Sequence, residues 1–337
     1  MRPIILALAT HGLVLLIACG PQAGPGAPAT DPGLEEIERR ILANPKEPGH
    51  FVERARYFDG SGNTVEAIKD WRRAIAMDSL NSGYHTALGE LFYRELMLEE
   101  AEFHLTKAML LSKDKAPRLA LAELMLAKRE YRRAMDLVND ALRLDPGDAR
   151  GYRTKGWIHM EAGDTALAVS SFRTAVERDP DYYEVFVMLG MLHGIKADPM
   201  ALEYYNSALE VRPEGVEALY GKGMYAQEQG MDSVALACYA RIKEADPTNA
   251  LAWYNSGYVL LEHLGDVAAA RAEFDMAVRL WPTYPEAYYN RGRTYELEGR
   301  LDSALIDFKR ALALAPDMDL AAEGLGRLRG RGVRVDR

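Results

Sequence analysis

Residues 285–318 read PEAYYNRGRTYELEGRLDSALIDFKRALALAPDM. Tyr288, Gly292 and Tyr295 lie four and three residues apart, and Ala304, Phe308 and Ala311 repeat that spacing. Each trio falls on one face of a helix. Gly299 lies between them and suits the end of the first helix, and Pro316 stops the second. The stretch predicts two antiparallel helices joined by a tight turn.

The pattern runs up the chain in four series. Pro146, Pro180, Pro213, Pro247, Pro282 and Pro316 are spaced by 34, 33, 34, 35 and 34 residues. Small residues recur as Ala55, Gly89, Ala122, Gly156, Gly190, Gly223, Gly257 and Gly292. A third series is Ala67, Ala101, Ala134, Ala168, Ala201, Ala235, Ala270 and Ala304. The fourth runs Ala74, Ala108, Ala141, Ala175, Ala208, Ile242, Ala277 and Ala311. The repeats fall at 48–81, 82–114, 115–148, 149–182, 183–215, 216–249, 250–284 and 285–318.

This pattern resembles the tetratricopeptide repeat, W-x2-L-G-x2-Y, then A-x3-F, then P. The resemblance implies an all-α, right-handed solenoid of about eight helix pairs. In each pair the small residue of helix A and the first alanine of helix B sit where the backbones cross. The aromatic four residues after that alanine (Trp71, Phe172, Tyr205, Tyr239, Phe274, Phe308) fills the gap toward the next pair. No pair can bury its apolar side alone, so stability is a sum over neighbours. Residues 34–47, with Leu34 to Ala43 before Asn44-Pro45, resemble a lone helix B that caps one end. Residues 319–337 hold a capping helix and a basic tail, in which Arg327 to Arg337 carries five arginines against one aspartate.

The amino terminus has a different character. Arg2 precedes a mostly apolar run, Ile4 to Ile17, too short for a comfortable membrane span. Leu16-Ile17-Ala18-Cys19 resembles the lipobox of bacterial lipoproteins. That likeness implies a signal peptide over 1–18 and a lipidated Cys19, the only nucleophile there for a thioether. Gly20 after the cysteine, by analogy with Gram-negative lipoproteins, implies the outer membrane facing the periplasm. Residues 19–33 are rich in Gly, Pro and Ala and read as a tether with an r.m.s. span of about 20 Å.

Composition narrows the function. The 337 residues are 48% hydrophobic and 27% charged, which fits a folded chain. Against 41 Lys and Arg stand 50 Asp and Glu, a net charge of −9, so nucleic acid is not an expected partner. The histidines lack zinc-ligand spacing, and the two cysteines, Cys19 and Cys238, form no CxxC. Asp59-Gly60-Ser61-Gly62-Asn63 imitates a calcium loop, but it falls at the first A–B turn and the closing glutamate is misplaced. His159 and His193 sit at a packing position of helix A, and Cys238 reads as a small hydrophobe. No stretch remains for a catalytic domain, so the chain reads as a non-enzyme without metal or cofactor.

In the family that the repeats resemble, helix A lines the inner surface. There the sequence offers Arg150, Arg153, Trp157 and Met160, then Val187 and Met191, then Tyr220, Met224 and Gln227. The later repeats add Tyr254, Asn255, Tyr258, Tyr289, Asn290 and Arg293. Tyrosine and methionine are adaptable contact residues. Asn255 and Asn290 fall at one position of successive repeats, where a resemblance to the asparagine ladder of O-GlcNAc transferase implies amides that hold a peptide backbone. Neither amide is expected at a packing position. The candidate peptide-binding set is therefore Trp157, Tyr220, Met224, Tyr254, Asn255, Tyr258, Tyr289, Asn290 and Arg293. Arg150 and Arg153 lack the Lys–Asn partners of the family's carboxylate clamps. Two readings follow from the resemblance. One is a membrane-anchored adaptor whose groove binds extended segments of envelope proteins. The other is an assembly component of a pilus, secretion or outer-membrane machine that makes contact through its edge or convex face.

Overall fold

A computed structural model describes residues 31–335. The expected signal peptide, Cys19 and nearly all of the tether lie outside those residues. Among the described residues all regular structure is helical, in eighteen helices that agree with the all-α reading of the repeats. The described residues divide into two compact units, one ending at Ser79 and the other beginning at Leu80.

Unit one holds α1 (Pro32–Ala43), α2 (Pro48–Gly60) and α3 (Thr64–Met77). Ile37 and Ile41 of α1 and Phe51, Val52 and Ala55 of α2 are buried in it. The turn that the sequence suggests falls at Ser61 to Asn63, after Asp59 and Gly60 have ended α2, and the Asn63 side chain caps α3 by accepting from the Glu66 amide.

Unit two stacks seven A–B pairs and a final helix. The pairs are α4 (Ser82–Arg94) with α5 (Leu98–Leu111), α6 (Lys115–Ala127) with α7 (Tyr131–Leu144), and α8 (Ala149–Glu161) with α9 (Thr165–Arg178). They continue as α10 (Tyr183–Gly194) with α11 (Met200–Val211), and α12 (Val216–Glu228) with α13 (Asp232–Ala245). The last two are α14 (Ala250–Glu262) with α15 (Val267–Leu280), and α16 (Pro285–Leu297) with α17 (Leu301–Leu314), followed by α18 (Asp319–Gly330).

Local chemistry sets these boundaries. Asp145, Asp179 and Asp246 stand before prolines with extended ψ values of 95°, 94° and 89°, where the proline ring disfavours helix. Each then turns the chain by accepting from an amide two residues on, Gly147, Asp181 and Thr248. Asp148, Asp164, Asn249 and Asp266 cap the helices that follow them.

The A–B turns need one left-handed residue. Gly163, Gly230 and Gly299 supply it at φ 81°, 70° and 76°. Three turns instead force Leu96, Arg129 and Ala197 to φ 58°, 60° and 52°. An L-residue there costs about 1–2 kcal/mol, part of which glycine returns as chain entropy. Leu96→Gly and Arg129→Gly should each stabilise by about 0.5 kcal/mol. A shift of the urea midpoint to higher concentration would show it, and a lower midpoint would contradict the assignment.

Every alanine of the third series, and every member of the fourth including Ile242, is fully buried. The crossing glycines make room for the B-helix rings. A Cβ on Gly156 would lie 2.5 Å from Phe172, on Gly257 2.8 Å from Phe274, and on Gly292 2.8 Å from Phe308. Tyr205 goes further and lies between two successive A helices, where a Cβ on Gly190 or Gly221 would come within 2.7 or 2.5 Å of its ring. This is the gap-filling role that the resemblance assigns to the aromatic.

Candidate functional site

Residues spaced by three and four form one stripe on each A helix. On α12 the stripe is Glu217, Tyr220, Met224 and Glu228. Its counterparts are Val187 and Met191 on α10, Tyr254, Tyr258 and Glu262 on α14, and Glu286, Tyr289 and Arg293 on α16. Within this stripe Met191, Tyr220, Met224, Tyr254 and Tyr258 are half-buried, so each exposes part of its surface.

The two asparagines correct an expectation. Asn255 and Asn290 are 6% and 4% exposed, inside the packing rather than beside it. Asn255 Nδ2 donates to the Tyr220 hydroxyl at 3.2 Å, with Met224 Sδ at 3.6 Å, and Asn290 Nδ2 donates to the Tyr254 hydroxyl at 2.9 Å. Each bond ties one A helix to the next, because a buried amide without a partner would be costly. Asn255→Ala and Asn290→Ala should therefore each lower stability by about 0.5–1.5 kcal/mol. The measurement is chemical denaturation, and an unchanged midpoint would mean the amides are free.

The other candidates fall into three settings. Trp157 is a core-edge residue, with its ring 5.6 Å from Phe172 at 80°. Tyr254 lies among rings, 5.7 Å from Phe274 and 4.8 Å from Tyr284, and burial raises its hydroxyl pKa, helped by the nearby Glu286 carboxylate. Tyr289 is 9% exposed and packs on Phe308. Arg293 pairs with Glu262 and lies over the Tyr289 ring at 5.8 Å. Tyr220, Met224 and Tyr258 are half-buried, Tyr258 packing edge-on to His263.

The amino-terminal half of the layer is ionic. Arg150 on α8 bonds Glu123 on α6 through Nε at 2.9 Å and Nη2 at 2.7 Å, and reaches Glu90 on α4 at 3.2 Å. Arg153 also bonds Glu123, and its guanidinium lies 5.7 Å from the centre of the Tyr182 ring. Burial opposes the charge of Glu123, yet Arg150 and Arg153 hold its carboxyl below the ordinary range. The two arginines are thus neutralised within the protein.

Among the described residues no group of three or more His, Cys, Asp or Glu is arranged to hold a metal ion. Cys238 is buried, and burial pushes its thiol up. No described helix is long and apolar enough to cross a membrane.

Sequence reasoning missed two buried ion pairs at equivalent positions of the first and eighth repeats. Arg54 grips Asp70 at 2.6 and 2.9 Å, and Arg291 grips Asp307 at 2.7 and 2.8 Å. A signal existed, since both pairs are Arg and Asp sixteen residues apart.

Fold and face together define a helix-pair repeat protein with a side-chain-rich A-helix layer. Family models described as tetratricopeptide repeat match residues 285–318 in one case, and 119–183, 200–250 and 233–285 in the other. Together they span more than half of the chain, which belongs to the tetratricopeptide repeat family. Protein FlbA of Caulobacter vibrioides is 26% identical over 200 residues, covering 59% of this chain and 33% of FlbA. Human tetratricopeptide repeat protein 6 is 27% identical over 174 residues, covering 50% of this chain and 33% of that protein. The chain thus spans about a third of these curated relatives. The C-terminal part of a TPR repeat-containing protein from Cytophaga hutchinsonii superposes with a TM-score of 0.61 at 16% identity, over 71% of this chain and 99% of that one. At that identity the likeness concerns the fold.

Proposed function

We propose that this protein is a membrane-anchored adaptor, not an enzyme, that holds extended segments of envelope proteins on the A-helix layer of its later repeats. The observation that carries the reading is the half-buried stripe of Val187, Met191, Tyr220, Met224 and Tyr258. The ionic groups of the earlier repeats are paired with one another, whereas these side chains keep apolar surface open to a ligand. Such residues adapt to varied side chains of a bound strand. The Leu16-Ile17-Ala18-Cys19 sequence supports acylation of Cys19 and attachment to the outer membrane. Two or three acyl chains would anchor the protein stably.

A second reading, an assembly component that makes contact through its outer face, draws on Phe103 and Leu110. They lie seven residues apart on α5 and are 66% and 74% exposed. One experiment addresses both readings and the anchor. A photo-cross-linking residue at Tyr258 or at Phe103, in cells with Cys19 intact or Cys19→Ser, should capture a partner from Tyr258. Cys19→Ser should leave the membrane fraction or remain unprocessed. Capture from Phe103 alone would favour the second reading, and a membrane-bound, acylated Cys19→Ser would remove the anchor.

A further inference from the structure

We infer that the segment held by α10, α12, α14 and α16 is one in which basic and apolar side chains are interspersed. The inference rests on the groove reading above and adds the chemistry of the occupant. The carboxylates of this face outnumber its cations. Glu262 pairs with Arg293, and Glu296 with Arg327 at 2.8 Å. Glu184 has a distant partner in Arg212 at 3.4 Å, with both side chains more than half exposed.

Three carboxylates remain without a cation among the described residues: Glu217, Glu228 and Glu286. Glu217 instead accepts the Tyr183 hydroxyl at 2.9 Å, a neutral donor that leaves its charge in place. Glu217 and Glu228 stand at the two ends of α12, with Tyr220 and Met224 between them. Glu286 lies in the first turn of α16, close enough for its charge to help raise the Tyr254 hydroxyl pKa. The apolar patch is therefore framed by uncompensated negative charge.

The contrast within the same unit sharpens the point. Glu90 and Glu123 are answered by Arg150 and Arg153, so that stretch needs no outside cation. A strand whose leucine-like side chains rest on Met191, Met224 and Tyr258 would bring neighbouring lysines or arginines to Glu217, Glu228 and Glu286. An acidic strand would meet like charge there, which costs affinity and slows encounter.

The test uses three labelled decapeptides with the same leucines and glycines, carrying lysine, serine or glutamate at the remaining positions. Binding is read by fluorescence anisotropy on the mature chain. At low salt the lysine peptide should bind about tenfold more tightly than the glutamate peptide. Glu217→Gln/Glu228→Gln/Glu286→Gln should remove most of that difference, and so should salt at about 0.5 M. Met224→Ser/Tyr258→Ser should weaken all three peptides alike. Equal affinity for the three peptides, or preference for glutamate, would overturn the charge inference and leave the groove reading standing. Lysine preference that survives the triple Gln substitution would overturn it too, by placing the basic contacts elsewhere. If none of the peptides binds, the groove reading falls and the inference with it.

Discussion

Arg291→Met should lower the stability of the carboxy-terminal repeat by about 3–5 kcal/mol. Asp307 is 2% exposed and takes both of its short contacts from Arg291, which also reaches Asp275 at 3.0 Å. Without the guanidinium a carboxylate is left in an apolar crossing between α16 and α17. The loss should be local, because each repeat leans only on its neighbours, so hydrogen exchange should accelerate in α16–α18 first. Arg291→Met with Asp307→Leu should recover most of the stability, since two apolar groups leave no charge to compensate.

The sign of the pH dependence follows from burial. Burial pushes the Asp307 carboxyl up, and Arg291 pulls against it. With Arg291 gone the folded pKa rises further above the unfolded value, so the folded state is favoured below about pH 4 and loses that contribution as pH rises through the folded pKa. The deficit of Arg291→Met relative to the parent should shrink as pH falls from 7 toward 4. A deficit that grows on acidification would mean Asp307 is not the stranded group.

Gly257→Leu should cost about 3 kcal/mol. A Cβ at Gly257 would already lie 2.8, 2.9 and 3.0 Å from three atoms of the Phe274 ring, and leucine adds three further carbons. Phe274 is fully buried, so the ring has little freedom to give way. Gly257→Ala should cost less, by the share that the extra carbons carry. Thermal and urea unfolding of the two variants check this, and a leucine variant as stable as the parent would misplace the crossing.

The repeat architecture was legible in the sequence because helix crossings admit only small residues. That steric demand returned Gly or Ala at 55, 89, 122, 156, 190, 223, 257 and 292, with no compensating choice open to the chain. Positive-φ turns were legible where glycine stands, as at Gly163, and hidden where Leu96, Arg129 and Ala197 take the same conformation. The face was legible only in part. Asn255 and Asn290 stood out correctly as a repeated pair, but their amides are bonded to hydroxyls 35 and 36 residues earlier. A contact across repeats depends on how far one A helix sits from the next, and spacing along the chain does not encode that distance. The ionic set of Glu90, Glu123, Arg150 and Arg153 was half visible, as two arginines on one face, for the same reason.

Phe308 has Gly292 on one side and Gly324 of α18 on the other, where a Cβ would approach its ring to 2.8 Å in either case. Gly221 receives Tyr205 from the preceding pair in the same way. The final helix therefore presents to α17 the same socket that an A helix presents to the pair before it. Copy number is then a free variable: a helix pair grafted between Met318 and Asp319 would meet matching surfaces on both sides. The array could lengthen by whole units, carrying its end piece outward, and gain a further stretch of A-helix face.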